Sequence, residues 1–152
     1  MIKILFVCHG NICRSPMAEY VMKDLVRQSG REDEFVIASA ATSREELGNP
    51  VYPPVRRKLA EHGIRCDGHA ARQLTRKDSE EFGYLIGMDR MNLSHMARIR
   101  GGTPEGKCSL LLAHAGQSGD VADPWYTGDF EATWQDVNIG CRALLKELTE
   151  KK

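Results

Sequence analysis

Two short stretches hold the side chains best able to do chemistry. In "VCHGNICRS", Cys8 ends an apolar run, and Arg14 and Ser15 follow it six and seven residues later. In "DPWYTGD", Asp123 stands far downstream, followed by Pro124, Trp125 and Tyr126. A loop that leaves a strand and ends at a helix N-terminus is a ready anion site, because free backbone N–H groups and the helix dipole both favour negative charge there. Gly10 lets such a loop fold tightly, and Asn11 tolerates a positive φ and can tie the loop with its side-chain amide. The segment His9, Gly10, Asn11, Ile12, Cys13, Arg14 and Ser15 is therefore expected to cradle one phosphate-sized anion.

Cys8 would sit at the bottom of that cradle. The dipole and Arg14 favour its thiolate, the nucleophilic form, and Ser15 can donate a hydroxyl to the sulfur. Arg14 offers a planar fork for two phosphoryl oxygens, and its hold strengthens as those oxygens spread in a transition state. The loop lacks Gly-Lys-Ser/Thr, so it is not a nucleotide-binding loop, and no acidic cluster accompanies it for magnesium. These features point to a metal-free, cofactor-free reaction at a phosphate monoester. Such a reaction needs a proton for the leaving oxygen, and Asp123 is the candidate acid. Pro124 stiffens the chain behind it, while Trp125 and Tyr126 can line a slot for a flat aromatic leaving group.

The elements that must position these residues follow from apolar patterning. "KILFV" (3–7), "FVIAS" (35–39), "YLIGM" (84–88) and "CSLLLA" (108–113) read as strands. Helical patterns are expected from Pro16 to a stop at Gly30, from about Pro54 to His62 before Gly63, and from an Asp89 cap towards Ile99. A short turn is expected at 78–82. A last helix carries Phe130, Trp134, Val137, Cys141, Leu144 and Leu148 on one face. Strand–helix alternation of this kind predicts an α/β fold: a doubly wound, four-stranded parallel sheet with helices on both faces, flavodoxin-like or Rossmann-like. Ligands bind at the carboxyl ends of the strands in such sheets, which puts the loops after the first and fourth strands on one rim.

At 152 residues the chain is expected to form a single domain over 1–152. Lys plus Arg and Asp plus Glu both number 21, so no basic excess points to nucleic acid or membrane. No apolar run reaches a membrane span, and Ile4 to Val7 is too short for a signal peptide. Five irregularly spaced cysteines do not make a secreted disulfide framework, so the expected setting is cytoplasmic and reducing.

"VCHGNICRSP" together with "DPWYTGDF" resembles the low-molecular-weight protein tyrosine phosphatase family, and "SAATS", "HGI", "ARQLT" and "GMDRMNL" extend the resemblance over essentially the whole chain. It implies the phosphotyrosine phosphatase I fold and hydrolysis through a phosphocysteine intermediate. By resemblance Cys8 is the nucleophile, Arg14 the phosphate clamp and Asp123 the acid and then the base. Asn11, Ser15, Ser39 and His69 match a supporting polar network. Cys13 matches a second loop cysteine able to form a reversible disulfide with Cys8. The substrate implied is a phosphotyrosine protein, in bacterial members a tyrosine kinase, and the expected state is a monomer or weak homo-oligomer. The chain departs from the family at Glu45 and Glu46, where many relatives carry an aromatic residue; Glu45 makes one cleft wall acidic. Ala40 stands where glycine is usual, and Trp125 where some relatives have tyrosine.

Plainer readings stand beside these. Asp89 is a helix cap first and a site residue second, and His69 a structural hydrogen-bond partner. Cys66, Cys108 and Cys141 read as buried or incidental. His62, Cys66 and His69 have metal-like spacing but lack a fourth ligand. Two alternative activities remain, beside a non-catalytic anion- or partner-binding role that an intact Cys8, Arg14 and Asp123 argue against. A thioredoxin-coupled arsenate reductase would need a close pair of downstream cysteines, which this chain lacks. Protein arginine phosphatases carry threonine where this chain has Ile12, and lack the tyrosine at Tyr126.

Overall fold

The computed structural model describes residues 1–100 and 107–150, with Arg100 described by its backbone only. Four strands, β1 (Ile2–Cys8), β2 (Phe35–Ala41), β3 (Tyr84–Gly87) and β4 (Cys108–Leu110), form one sheet in the order β2-β1-β3-β4. Every pairing is parallel, with Ile4 opposite both Ile37 and Tyr84. β1 lies in the middle, and Ile4 to Val7 are wholly buried, so this stretch reads as unbroken apolar sequence rather than alternation.

The two faces are covered by different helices. Ile4, Phe6 and Cys8 of β1 share a core with α1 (Arg14–Gln28), α2 (Pro53–Glu61) and α6 (Phe130–Glu150). Leu5 and Val7 turn to the other face and pack with Leu74, Phe82, Leu85 and Met96, under α3 (Arg76–Glu81) and α4 (Arg90–Arg100). The side-chain period of two thus places Cys8 on the α1 face of the sheet. The chain leaves β1 towards β2 on one side and β3 lies on the other, so a crevice opens at the carboxyl end of β1.

Several boundaries differ from the sequence expectation; the turn expected at 78–82, for one, is the helix α3 over Arg76–Glu81. β4 stops at Leu110, and Leu111–Ala115 forms a 3-10 turn that runs against α6. The close approach has a cause: Gly140 of α6 lets the Leu111 side chain pack directly on the helix backbone. α1 begins at Arg14, two residues ahead of Pro16. "DPWYT" is a short helix, α5 (Pro124–Thr127), capped by Asp123, whose Oδ1 accepts the Trp125 N–H at 3.1 Å. No helix among the described residues is long and apolar enough to cross a membrane.

Candidate active site

The loop from Cys8 to Arg14 is held from outside by its carbonyls. Those of Cys8, His9 and Ile12 accept backbone N–H groups of Thr42, Ser43 and Tyr52 at 2.9, 3.0 and 2.9 Å. The Asn11 carbonyl accepts from His69 Nε2 at 2.8 Å. With the carbonyls turned outward, N–H groups are left to face the sulfur, and two do so. Cys8 Sγ accepts the N–H of Asn11 at 3.3 Å and of Ser15 at 3.4 Å, and the Ser15 hydroxyl lies 3.0 Å away. α1 starts at this point with no acidic side chain in its first turn, so nothing local offsets the positive end of its dipole.

Asn11 is the one non-glycine residue with positive φ among the described residues, at 60°. Its fully buried amide ties the loop together: Nδ2 donates to Ser15 Oγ at 2.8 Å and to Ser39 Oγ at 2.9 Å, and Oδ1 accepts the Arg72 N–H at 3.2 Å. The Ser39 hydroxyl in turn donates to Glu19 Oε1 at 2.5 Å, and Glu19 Oε2 accepts from Lys23 Nζ at 2.6 Å. His69 Nδ1 faces the same Glu19 at 3.9 Å. Glu19 is the network member that sequence reasoning missed. Its spacing held the signal: four residues beyond Ser15 and four before Lys23, it must lie on the helix face below the loop.

Arg14 is almost wholly buried, and carboxylates surround it. Nη1 donates to Asp89 Oδ2 at 2.8 Å and to the Val121 carbonyl at 3.2 Å, and Nη2 to Asp123 Oδ2 at 3.3 Å. Burial alone would weaken its hold on its proton, but Cys8, Asp89 and Asp123 outweigh that and raise its pKa. Asp89 therefore joins two roles, capping α4 through the Asn92 N–H at 2.8 Å while orienting Arg14.

A cleft of about 450 Å³ opens above the sulfur. Cys8, Gly10, Ile12, Cys13, Arg14 and Asp123 line its depth, and His9, Glu45, Trp125 and Tyr126 stand nearer the mouth. Trp125 leans on Tyr52, with ring centroids 5.1 Å apart, while Tyr126 is exposed. Glu45 bonds His9. Cys13 is a buried free thiol whose pKa burial and the neighbouring Cys8 push up to about 12. The metal-like spacing at 62–69 divides in space: His62 stacks on Trp134 at 3.7 Å, whereas His69 points to the loop.

This arrangement places a sulfur, a cation and a carboxylate around one anion-sized space, the parts of an in-line phosphoryl transfer. Comparison with known proteins gives a consistent picture. The profile of the low molecular weight phosphotyrosine protein phosphatases matches residues 3–152. The low molecular weight protein-tyrosine-phosphatase YfkJ of Bacillus subtilis is 38% identical over 154 residues, covering 100% of this chain and 99% of that protein. Its crystal structure superposes with a TM-score of 0.95 at 39% identity, over 100% of this chain and 97% of that one. A Drosophila arginine phosphatase is similar at a TM-score of 0.88 and 30% identity, covering 99% of this chain and 100% of that one.

Proposed function

The chain belongs to the low molecular weight phosphotyrosine protein phosphatase family, and from that premise we propose that it hydrolyses phosphotyrosine in proteins through a phosphocysteine on Cys8. The observation that carries the mechanism is the pair of backbone N–H donors and the Ser15 hydroxyl on Cys8 Sγ, with Arg14 and Asp123 across the same cleft. Donors aimed at a sulfur favour the thiolate, which attacks phosphorus as the bond to the aryl oxygen breaks. Arg14 and the loop amides bind the equatorial oxygens. Asp123 gives its proton to the departing phenol oxygen, then takes one from the water that attacks the phosphocysteine. Phosphate leaves and the thiolate is restored.

The tyrosine preference rests on the aromatic mouth, Trp125 and Tyr126, and on Ile12, whose branched apolar side chain lines the cleft. A phosphoguanidinium group is planar and carries N–H donors that Ile12 cannot receive. The second reading, phosphoarginine, is kept because the Drosophila arginine phosphatase shares the fold so closely. Cys13 is proposed as the resolving thiol: after peroxide converts Cys8 to a sulfenic acid, the Cys13 thiol condenses with it, forming the disulfide and releasing water. A bacterial tyrosine kinase is a fitting substrate, and a reducing, cytoplasmic setting suits five free cysteines.

The test is hydrolysis of phosphotyrosine and phosphoarginine side by side, with EDTA present, by wild type and Cys8→Ser. Phosphotyrosine turnover that needs Cys8 and ignores EDTA is expected. Faster phosphoarginine turnover would keep the mechanism and reverse the substrate. No turnover of either would lead to thiol-dependent arsenate reduction.

A further inference from the structure

The cleft as a whole is strongly biased in charge. Four carboxylates line it (Glu45, Glu46, Asp89 and Asp123) against one arginine, Arg14, and two histidines, His9 and His95. The deep pair, Asp89 and Asp123, is already engaged with Arg14. The outer pair is not balanced in this way. Glu45 pairs with His9, a half-exposed imidazole, and among the described residues no lysine or arginine pairs with it. Glu46 accepts the Asn49 amide at 3.2 Å, and among the described residues no cation pairs with it.

This lip is also built rather than loose. The loop after β2 is bonded to the phosphate loop through Ser43 N–H to His9 at 3.0 Å. It is braced at its far end by Gly48 N–H to the Ala71 carbonyl at 2.8 Å and within itself by Asn49 N–H to the Glu46 carbonyl at 3.0 Å. The Glu46 side chain lies over Gly10, with its Cγ 3.4 Å from where a Cβ would stand. The backbone that carries the two carboxylates is thus fixed beside the entrance, on the side of His9.

We propose that Glu45 and Glu46 are specificity-determining residues, and that the substrate class of this phosphatase is phosphotyrosine flanked by a basic side chain. A phosphate dianion passing the two outer carboxylates meets a repulsion that a lysine or arginine next to the phosphotyrosine offsets. An acidic neighbour adds to it. Each such contact is partly exposed, so its effect is about fivefold at close approach in water and is screened by salt. The inference rests on the phosphatase reading above and adds the flanking residue to it.

The experiment uses three phosphotyrosine peptides of one sequence, with Arg, Ala or Glu on both sides of the phosphotyrosine, and phenyl phosphate alongside. kcat/KM is measured for wild type, Glu45→Gln/Glu46→Gln and Glu46→Lys at low and high salt. The expected order for wild type is Arg, then Ala, then Glu, with about fivefold between neighbours, carried by KM. The double variant should compress the order, high salt should compress it likewise, and Glu46→Lys should shift it towards the acidic peptide. Equal rates on all three peptides, with phenyl phosphate still hydrolysed, would overturn the lip preference and leave the phosphatase reading standing. An order that survives unchanged in the double variant would place the selection elsewhere. Failure on phenyl phosphate and all peptides would sink both.

Discussion

Asp89 and Arg14, 75 residues apart in the chain, meet at 2.8 Å, and the same carboxylate caps α4 through the Asn92 N–H. One residue therefore ties Arg14, the proposed phosphate clamp on α1, to the helix that follows β3. Asparagine caps as well as aspartate but carries no charge, so Asp89→Asn separates the two roles. Thermal stability should stay near wild type while kcat/KM on aryl phosphates falls about tenfold as Arg14 loses its orientation. Asp89→Ala should add a stability loss of about 1 kcal/mol. A variant Asp89→Asn with unchanged kcat/KM would reduce Asp89 to a cap.

Asp123→Asn should slow phenyl phosphate hydrolysis by about 10²- to 10⁴-fold, the usual worth of a positioned acid. The loss should be smaller for a p-nitrophenyl leaving group, which needs less protonation. Inhibition by phosphate should change little, since asparagine can still cap α5 in place of the carboxylate that now accepts the Trp125 N–H. Equal losses in turnover and phosphate binding would mean that Asp123 positions Arg14 instead.

Asn11 combines a left-handed backbone with a buried three-partner amide. Asn11→Gly keeps the backbone and removes the amide, leaving buried partners unmatched at about 1–3 kcal/mol. Asn11→Ala adds roughly 1–2 kcal/mol of backbone strain. Urea unfolding should rank wild type above Gly and Gly above Ala; Ala at or above Gly would remove the argument from φ.

Asp78 forms the capping box of α3 with Thr75 and accepts both Arg72 nitrogens, at 2.9 and 3.2 Å. Burial by itself would raise its pKa, but Arg72 and the Thr75 N–H outweigh it and lower the value. A depressed folded pKa contributes stability above the unfolded value of about 3.9, and that contribution fades as pH falls through the folded value. Asp78→Asn should therefore unfold at a lower temperature than wild type at pH 7, with the gap narrowing below pH 4. A gap that is constant with pH would assign the effect to packing.

Gly140→Ala brings a Cβ to 2.5 Å from Leu111 Cγ, a buried side chain. Alanine favours the helix by about 1 kcal/mol, while overpacking costs about 1–3 kcal/mol. Net destabilisation is expected in urea unfolding, together with partial rescue by Leu111→Ala. Stabilisation would show that the 3-10 turn moves aside freely.

Much of this protein was readable from its sequence because the controlling physics is local. The apolar run into Cys8, the glycine and asparagine of the loop, and the helix that begins near Arg14 point to an anion cradle within a dozen residues, since backbone donors, dipole and the proposed nucleophile all come from one strand–loop–helix unit. The alternation of strands and helices told where the rim lies, and so put Asp123 there. What needed tertiary structure is every partnership between distant segments. That Arg14 meets Asp89 depends on β3 lying beside β1 in the order β2-β1-β3-β4, and no local pattern encodes a neighbour 75 residues away. That Glu19 is buried and joined to Ser39 depends on α1 lying against β2; its spacing from Ser15 gives the helix face but not the partner across it. Glu45 and Glu46 were legible as acidic residues, but only the bonds from Ser43 and Gly48 decided that their backbone stands fixed at the mouth. Chemistry came from the sequence because it is short-ranged, whereas orientation came from the fold because it is set by which strands pair.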